Sequence, residues 1–435
     1  MSKRPDISKS LKETRLKRQS QDCVVFELKM IKNKMSKVKE EKIKIAFLET
    51  KWLYNHILAQ ESPFGFDSKI KQVKCKTLDG LEDRELKYLG SQIKQEIVKR
   101  TENSIKSLSS KKKKGEKVGR LKFVSEVNSI PLKQFGNTYR IKGKIISIQG
   151  IGKFKFSGLE QLKDIQEEDI ANANLIHRNG DYYLKITCFR EKFVFDKTKE
   201  MIGIDFGITD SLTFSNGVKI DTTVPLSKRV KKEHQKLSKK ITMSKKAKRK
   251  RKSKNHKKQR VKLGKAYQKT TNKRKDKKNK VVSYLKNNYS YIAVQDENIK
   301  GWHAGLFGKQ IQQSTIGGII AGIKELPHTS VVSRWYPSTQ ECPMCLKRVK
   351  QDLKKRIYVC SCGYREDRDV HAARNILFES LEIVPTVRRD LVPLWNKKPV
   401  EMESSVKMLI YFSTFCKSSS LNQEALGFNV NVCLG

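Results

Sequence analysis

The sequence predicts an α/β chain with a small β-barrel at its front, and three observations predict it. Alternating strand-like runs flank a helical stretch in the first half. A short apolar strand ending in a carboxylate opens the second half at Met201, and four of the nine cysteines cluster between Cys342 and Cys362. The 435 residues are enough for two or three domains with real cores, and an apolar content of 37% lies within the ordinary globular range.

In chain order, residues 1–20 read as a mobile basic arm. CVVFELKM places Phe26, Leu28 and Met30 on one face and Glu27 and Lys29 on the other, as a half-buried strand does. Between 40 and 60 the period becomes helical, with Ile43, Phe47, Leu53, Tyr54 and Ile57 in one stripe, and a second helical stretch covers roughly 81–108. SSKKKKGEKVGRLKF is a flexible basic loop. Alternation returns from Tyr139 to Phe156 and from Tyr182 to Phe195, so the front half reads as a barrel interrupted by a helical lobe. After MIGIDFGI, the string LTFSNGVKI is two strands joined by an Asn-Gly turn.

Charge is the strongest compositional signal. Ninety-three Lys and Arg stand against 45 Asp and Glu, a formal net charge of +48. Self-repulsion of that size calls for a polyanionic partner, and nucleic acid is the first candidate. The segment from Lys228 to Lys280 holds 27 of the cations against Glu233 and Asp276 alone. Val230, His234, Leu237 and Ile241 keep a helical stripe within it, which predicts a basic helical hairpin with a disordered tip near 244–258. No apolar run approaches the ~20 residues a membrane span needs. The start is basic without an apolar core, unlike a secretory signal, and a cytoplasmic, nucleoid-associated location is expected.

Three carboxylate strings stand in order: IGIDFG with Asp205, YIAVQDENIKGW with Asp296 and Glu297, and REDRDVHAARN with Asp367 and Asp369. The first two follow apolar strands and the third opens a helical stretch, so their acids can meet at the end of one sheet. Hard divalent cations held by such carboxylates activate water for phosphodiester hydrolysis. A lone strand-end aspartate is more often a cap or turn residue. All three strings in one chain of this charge favour the functional reading. Cys342-Pro-Met-Cys345 and Cys360-Ser-Cys362 lie fourteen residues apart, and four thiolates suit one closed, structural zinc site. Cys23, Cys75, Cys188, Cys416 and Cys433 are scattered and read as core or incidental thiols.

Together IGIDFG, QDENIKGW, the CPMC pair with its partner pair, and DRDVHAARN resemble the split RuvC domain of the TnpB family, transposon-encoded RNA-guided DNA endonucleases related to miniature type V CRISPR effectors. KWLYNHIL at 51–58 resembles that family's first recognition helix, and KKGEKVGRLKF its basic loop before the barrel. The similarity spans about residues 22–390. It implies an amino-terminal barrel with an inserted helical recognition lobe, then an RNase H-like RuvC domain with an inserted zinc finger. The expected boundaries are a basic arm at 1–21, a first barrel strand at 22–40, a recognition lobe at 41–115 and the remaining barrel at 116–198. The nuclease domain follows at 199–340, with its basic hairpin at 228–285, then the finger at 341–363, the last nuclease part at 364–390 and a flexible tail at 391–435.

Carried over residue by residue, the resemblance puts the first catalytic aspartate on Asp205 and the last on Asp369, with His371 where many relatives have Asn. Aligning the family's N-x-K-G on Asn298 to Gly301 puts Gln295 at the usual glutamate position. Because a strand repeats every two residues, Glu297 would share the face of Gln295 about 6.6 Å further on. Glu297 is therefore the expected middle ligand, with a disabled centre as the alternative. His303, in GWHAGLFGKQIQQS, is expected to be structural. Leu346 replaces a frequent glycine, and the second cysteine pair is C-x-C where C-x-x-C is commoner.

The resemblance implies two catalytic Mg²⁺ at Asp205, Glu297 and Asp369, and one structural Zn²⁺ at Cys342, Cys345, Cys360 and Cys362. It also implies a guide RNA from the transposon end and a double-stranded DNA target beside a short flanking motif, without membrane involvement. Rival readings are a guided repressor that has lost cleavage, for which Gln295 speaks, and a DNA-joining transposase with similar carboxylates.

Overall fold

The computed structural model describes residues 7–77, 80–194, 196, 198–246, 253–352 and 355–383, which fall into two compact units divided at Phe193 and Val194. The expected tail at 391–435, the first six residues and 247–252 of the expected disordered tip lie outside the described residues, whereas the rest of that tip belongs to helices or caps one.

The stretch expected as a mobile arm is helical from Ile7 to Gln19 (α1). The long strand β1 (Gln21–Met30) follows, then α2 (Lys37–Leu58), the hairpin β2 (Gln72–Lys76) and β3 (Leu81–Glu85), and α3 (Ser91–Lys113). Six strands complete the first unit: β4 (Ser129–Leu132), β5 (Tyr139–Lys142), β6 (Ile145–Ile148), β7 (Gly152–Ser157), β8 (Ile170–Arg178) and β9 (Asp181–Glu191). They pair with β1 in the order β4-β8-β9-β1-β7-β6-β5, an antiparallel sheet curled into a nearly closed barrel. Alternation builds its core: Leu28 and Met30 of β1, Phe154 and Phe156 of β7, and Tyr182, Leu184 and Ile186 of β9 are all buried.

Two helices cover part of this core with the apolar stripe read from sequence, since Ile43, Phe47, Leu53 and Ile57 of α2 and Ile93, Ile97 and Val98 of α3 are buried in the same cluster. Glu49 of α2 is also fully buried, where its carboxylate accepts the backbone N–H groups of Lys87, Tyr88 and Leu89 and so pins the entry to α3. Asn55 exchanges two hydrogen bonds with the backbone of Val124, and Trp52 packs against the core.

The second unit is built on β10 (Met201–Asp205), β11 (Leu212–Phe214), β12 (Lys219–Ile220), β13 (Tyr291–Gln295) and β14 (Thr329–Val332), in the order β12-β11-β10-β13-β14. Strands β10, β13 and β14 are parallel, and β11 and β12 are antiparallel additions. The Asn216-Gly217 turn joins β11 and β12, with Gly217 at φ 87° where a side chain would be strained.

Between β12 and β13 the chain runs through α4 (Lys228–Lys246) and the 35-residue α5 (Lys254–Asn288). The two share a thin apolar seam of Val230, Leu263 and Ala266 with Leu226 and Leu237, and Gln259 donates to the carboxylate of Glu233. Val281 and Leu285, near the end of α5, reach the main core. The stripe read from sequence holds at Val230 and Leu237 but not at Ile241, which is 39% exposed. Three short helices, α6 (Ile299–Ala304), α7 (Gly308–Gln313) and α8 (Ile316–Lys324), link β13 to β14. A finger hairpin of β15 (Ile357–Val359) and β16 (Arg365–Asp367) leads into α9 (Arg368–Ser380), which packs on β10 and β13. No described helix is long and apolar enough to cross a membrane.

Candidate functional site

The placement of Asp205 follows from a close approach. Gly203, in the middle of IGIDFG, lies so near α9 that a Cβ there would stand 2.0 Å from the carbonyl oxygen of Ala373. Helix α9 therefore rests directly on β10, and Asp205 at the strand's end faces the helix's first turn. Asp367 caps that turn by accepting from the N–H groups of Asp369 and Val370. Arg374 holds the other side of the helix, its Nε donating to Ser215 O at 3.0 Å and its guanidinium pairing with Glu366.

The acids converge electrically. The half-buried Asp205 carboxyl is pushed up to about 8, first by burial and then by the charges of Asp369 and Glu297. Glu297 is raised to about 7, by burial first and then by Asp296, against the opposing charges of Arg334 and Lys324. Asp369 faces three cations, with Arg368 at 3.4 Å, Arg356 at 3.6 Å and Lys219 at 3.9 Å. Lys219 also stands 2.9 Å from Asp367 and 3.8 Å from Asp210. Among the described residues, only the four cysteines form a group of three or more metal-type donors lying entirely within 4.8 Å of one another. Asp369 and Glu297 thus each act on Asp205, without the three forming so tight a cluster.

The strand-alternation argument for Glu297 does not survive, because β13 stops at Gln295 and Glu297 lies beyond it in coil, where its carbonyl accepts from Ile299 N. Gln295 is buried and bonded to the loop that follows β14. Its amide nitrogen donates to Ser333 O at 3.0 Å and Tyr336 O at 2.7 Å, and its amide oxygen accepts from the Ser338 hydroxyl at 3.0 Å. Asp296 pairs with Lys324 and Arg334, which hold it below the usual carboxylate range. His303 is exposed on α6. The cations around Asp369 were missed from sequence, because Lys219 lies 150 residues away in the chain and nothing marks it, or Arg356 thirteen residues before, among 93 Lys and Arg.

The cysteines come together as expected. Cys342 and Cys362 sulfurs lie 3.6 Å apart and those of Cys345 and Cys360 lie 3.5 Å apart. Leu346 takes φ 61° in the first knuckle, the left-handed conformation that glycine adopts freely, and its N–H donates to Cys342 O at 2.8 Å. The finger is stitched to α9. Tyr358 of β15 stacks on His371 with ring centroids 3.9 Å apart, and Asn375 donates to the carbonyls of Ser338 and Glu341 at 2.7 Å each. Four thiols in this arrangement can hold one tetrahedral metal ion.

A mixed five-stranded sheet of this order, with an aspartate ending its central strand and a cysteine finger leading into the packing helix, defines an RNase H-like domain with an inserted zinc-finger motif. Residues 195–303 match the family described as "Probable transposase" and residues 327–376 match the "Cas12f1-like, TNB domain" family. Both matches lie in the second unit, and each covers less than half of the chain. A segment of 52 residues is 48% identical to a "Putative RNA-guided DNA endonuclease" of Streptomyces pristinaespiralis, a match covering 12% of this chain and 13% of that relative. Among solved structures, the mini-RNA-guided endonuclease CRISPR-Cas_phi3 is similar at 9% identity and a TM-score of 0.45, over 86% of this chain and 95% of that one.

Proposed function

We propose that this protein is an RNA-guided DNA endonuclease whose cleavage site is formed by Asp205, Glu297 and Asp369. The observation that carries the reading is the close packing of β10 on α9 at Gly203, which sets Asp205 against the turn that bears Asp369, where burial first and then the charges of Asp369 and Glu297 raise its carboxyl. Such a donor set, all carboxylate oxygen, suits a hard cation that would relieve the repulsion, and two Mg²⁺ are the expected ions. When bound, they would supply an activated water and stabilise the leaving oxygen of a phosphodiester.

The protein's own part is placement and charge. Asp205 is fixed by the rigid contact of β10 with α9, and Asp369 by the Asp367 cap. Lys219, Arg356 and Arg368 supply positive charge where a phosphate would arrive. A Zn²⁺ at Cys342, Cys345, Cys360 and Cys362 would have every position taken by sulfur, leaving no place for water, and would serve structure only. The cationic faces of α4 and α5 are the expected seat of guide RNA or heteroduplex phosphates, contacts that carry no sequence information. Target choice would then come from pairing with a guide RNA of the transposon end, and the protein would read a short flanking motif. The likeness to a transposase family and to a relative named for RNA guidance supports this part. Action on chromosomal DNA puts the protein in the nucleoid.

The test is plasmid cleavage with Mg²⁺, using a target designed from the sequenced copurifying RNA. Wild type cuts both strands, and Glu297→Gln reduces the rate by more than the roughly 10–100-fold typical of losing a group behind the ligands. A wild-type protein that binds this target and leaves it uncut would establish the guided-repressor reading instead.

A further inference from the structure

One large aromatic ring stands in water beside the acids. Trp335 is 86% exposed, whereas its neighbour Tyr336 packs inward against the finger core. A lone exposed tryptophan in a loose loop would mean little, but this loop is held firmly. The buried Gln295 amide donates to the carbonyls of Ser333 and Tyr336 on either side of Trp335. Trp335 N donates to the Ser333 hydroxyl at 3.3 Å, and Tyr336 N to Ser333 O at 3.1 Å. The backbone that carries the ring is therefore held, which limits the entropic cost to the ring's own rotation when a ligand stacks on it.

Its surroundings select the ligand. Trp335 directly follows Arg334, which pairs with Asp296 together with Lys324 and keeps a side chain 44% exposed. Asp296 is the chain neighbour of Glu297, so this pair of cations stands next to that acid. An aromatic face next to a half-exposed arginine fits a nucleotide: the base stacks on the ring and its phosphate can reach the guanidinium. A protein partner would find no apolar patch of useful size in a single ring.

We infer that Trp335 is a stacking platform for one unpaired base of the DNA strand entering the carboxylate site, with Gln295 as the residue that positions it. This rests on the cleavage reading for the identity of the strand. The residue at the usual glutamate position has thereby a task of its own, because its two donated hydrogen bonds shape the platform's loop.

The test uses the full chain with its copurifying RNA, and Ca²⁺ in place of Mg²⁺ so that binding is read without cutting. Fluorescence anisotropy is measured on a target duplex carrying a preformed unpaired segment, intact or with one abasic position moved through it. Stacking of one base predicts that wild type loses about tenfold in affinity at a single abasic position. Trp335→Ala loses about the same on intact DNA, shows no further loss at that position and keeps the wild-type melting temperature, while Trp335→Phe retains most of the affinity. Wild-type affinity in Trp335→Ala, an abasic penalty that persists without the tryptophan, or an effect confined to RNA strands would each overturn the inference. Wild-type protein that shows the positional penalty yet leaves DNA uncut with Mg²⁺ would remove the nuclease reading and leave the platform standing.

Discussion

Gln295 looks like a lost catalytic acid when it is aligned and like a structural clamp when it is seen in place. A carboxylate cannot donate to the Ser333 and Tyr336 carbonyls, so Gln295→Glu would bury an anion against two acceptors. The expected cost is about 3 kcal/mol in unfolding free energy with no gain in cleavage, checked by denaturant titration and a plasmid assay. A faster-cutting Gln295→Glu would show that the glutamate belongs there after all. His371 offers a second measurement at this scale. It is fully buried, and burial first, then Arg374, lowers its imidazole to about 3. The folded state thus refuses a proton that the unfolded chain accepts below about 6.5, so this group's contribution to stability is present above about pH 6.5 and is lost as pH falls toward about 3. His371→Asn should flatten the decline of melting temperature over that window relative to wild type. Equal slopes for the two proteins would refute the assignment.

Among the elements, the contact of β10 with α9 decides whether Asp205 and Asp369 face one another. Gly203→Ala would drive a methyl group into the Ala373 carbonyl, and backbone cannot move aside cheaply. The expected loss is about 3 kcal/mol or more in stability, together with cleavage, measured by denaturation midpoint and plasmid assay. Elements with strong patterns were legible in the sequence: the apolar run ending at Asp205, the Asn-Gly hairpin, the alternation of β1 and β9, the cysteine spacing. Others carried no pattern to read. The strand LEDRE of β3 is exposed at nearly every position, so no alternation marks it, and α1 has charged residues all round. The proposed acids were singled out by position alone, Asp205 and Glu297 after apolar runs and Asp369 at the opening of a helical stretch. Their surroundings were not, because which cation approaches Asp369 depends on the meeting of segments such as those of Lys219 and Asp369, which lie 150 residues apart.

For the whole molecule, the governing quantity is a charge of +48, of which α4, α5 and their connection hold more than half. Lys258, Lys262, Lys265 and Lys269 are exposed along one face of α5. Replacing all four with Gln should weaken nucleic-acid binding and flatten the plot of log affinity against log salt, by up to about 0.9 for each phosphate that is no longer neutralised. Binding measured from 50 to 300 mM KCl tests this, and an unchanged slope would place the phosphate-binding cations elsewhere. The thin apolar seam between these helices should leave melting behaviour nearly unaffected by the same changes.

The stacking of Tyr358 on His371 has a bearing on damage as well as on form. Asp369 and His371 belong to the same turn of α9, so a peroxide that oxidised the four thiols, or a chelator that stripped a zinc ion from them, would loosen the ring pair and with it the turn that carries the acid. Oxidative injury to a motif with no chemistry of its own would then silence the protein from a distance.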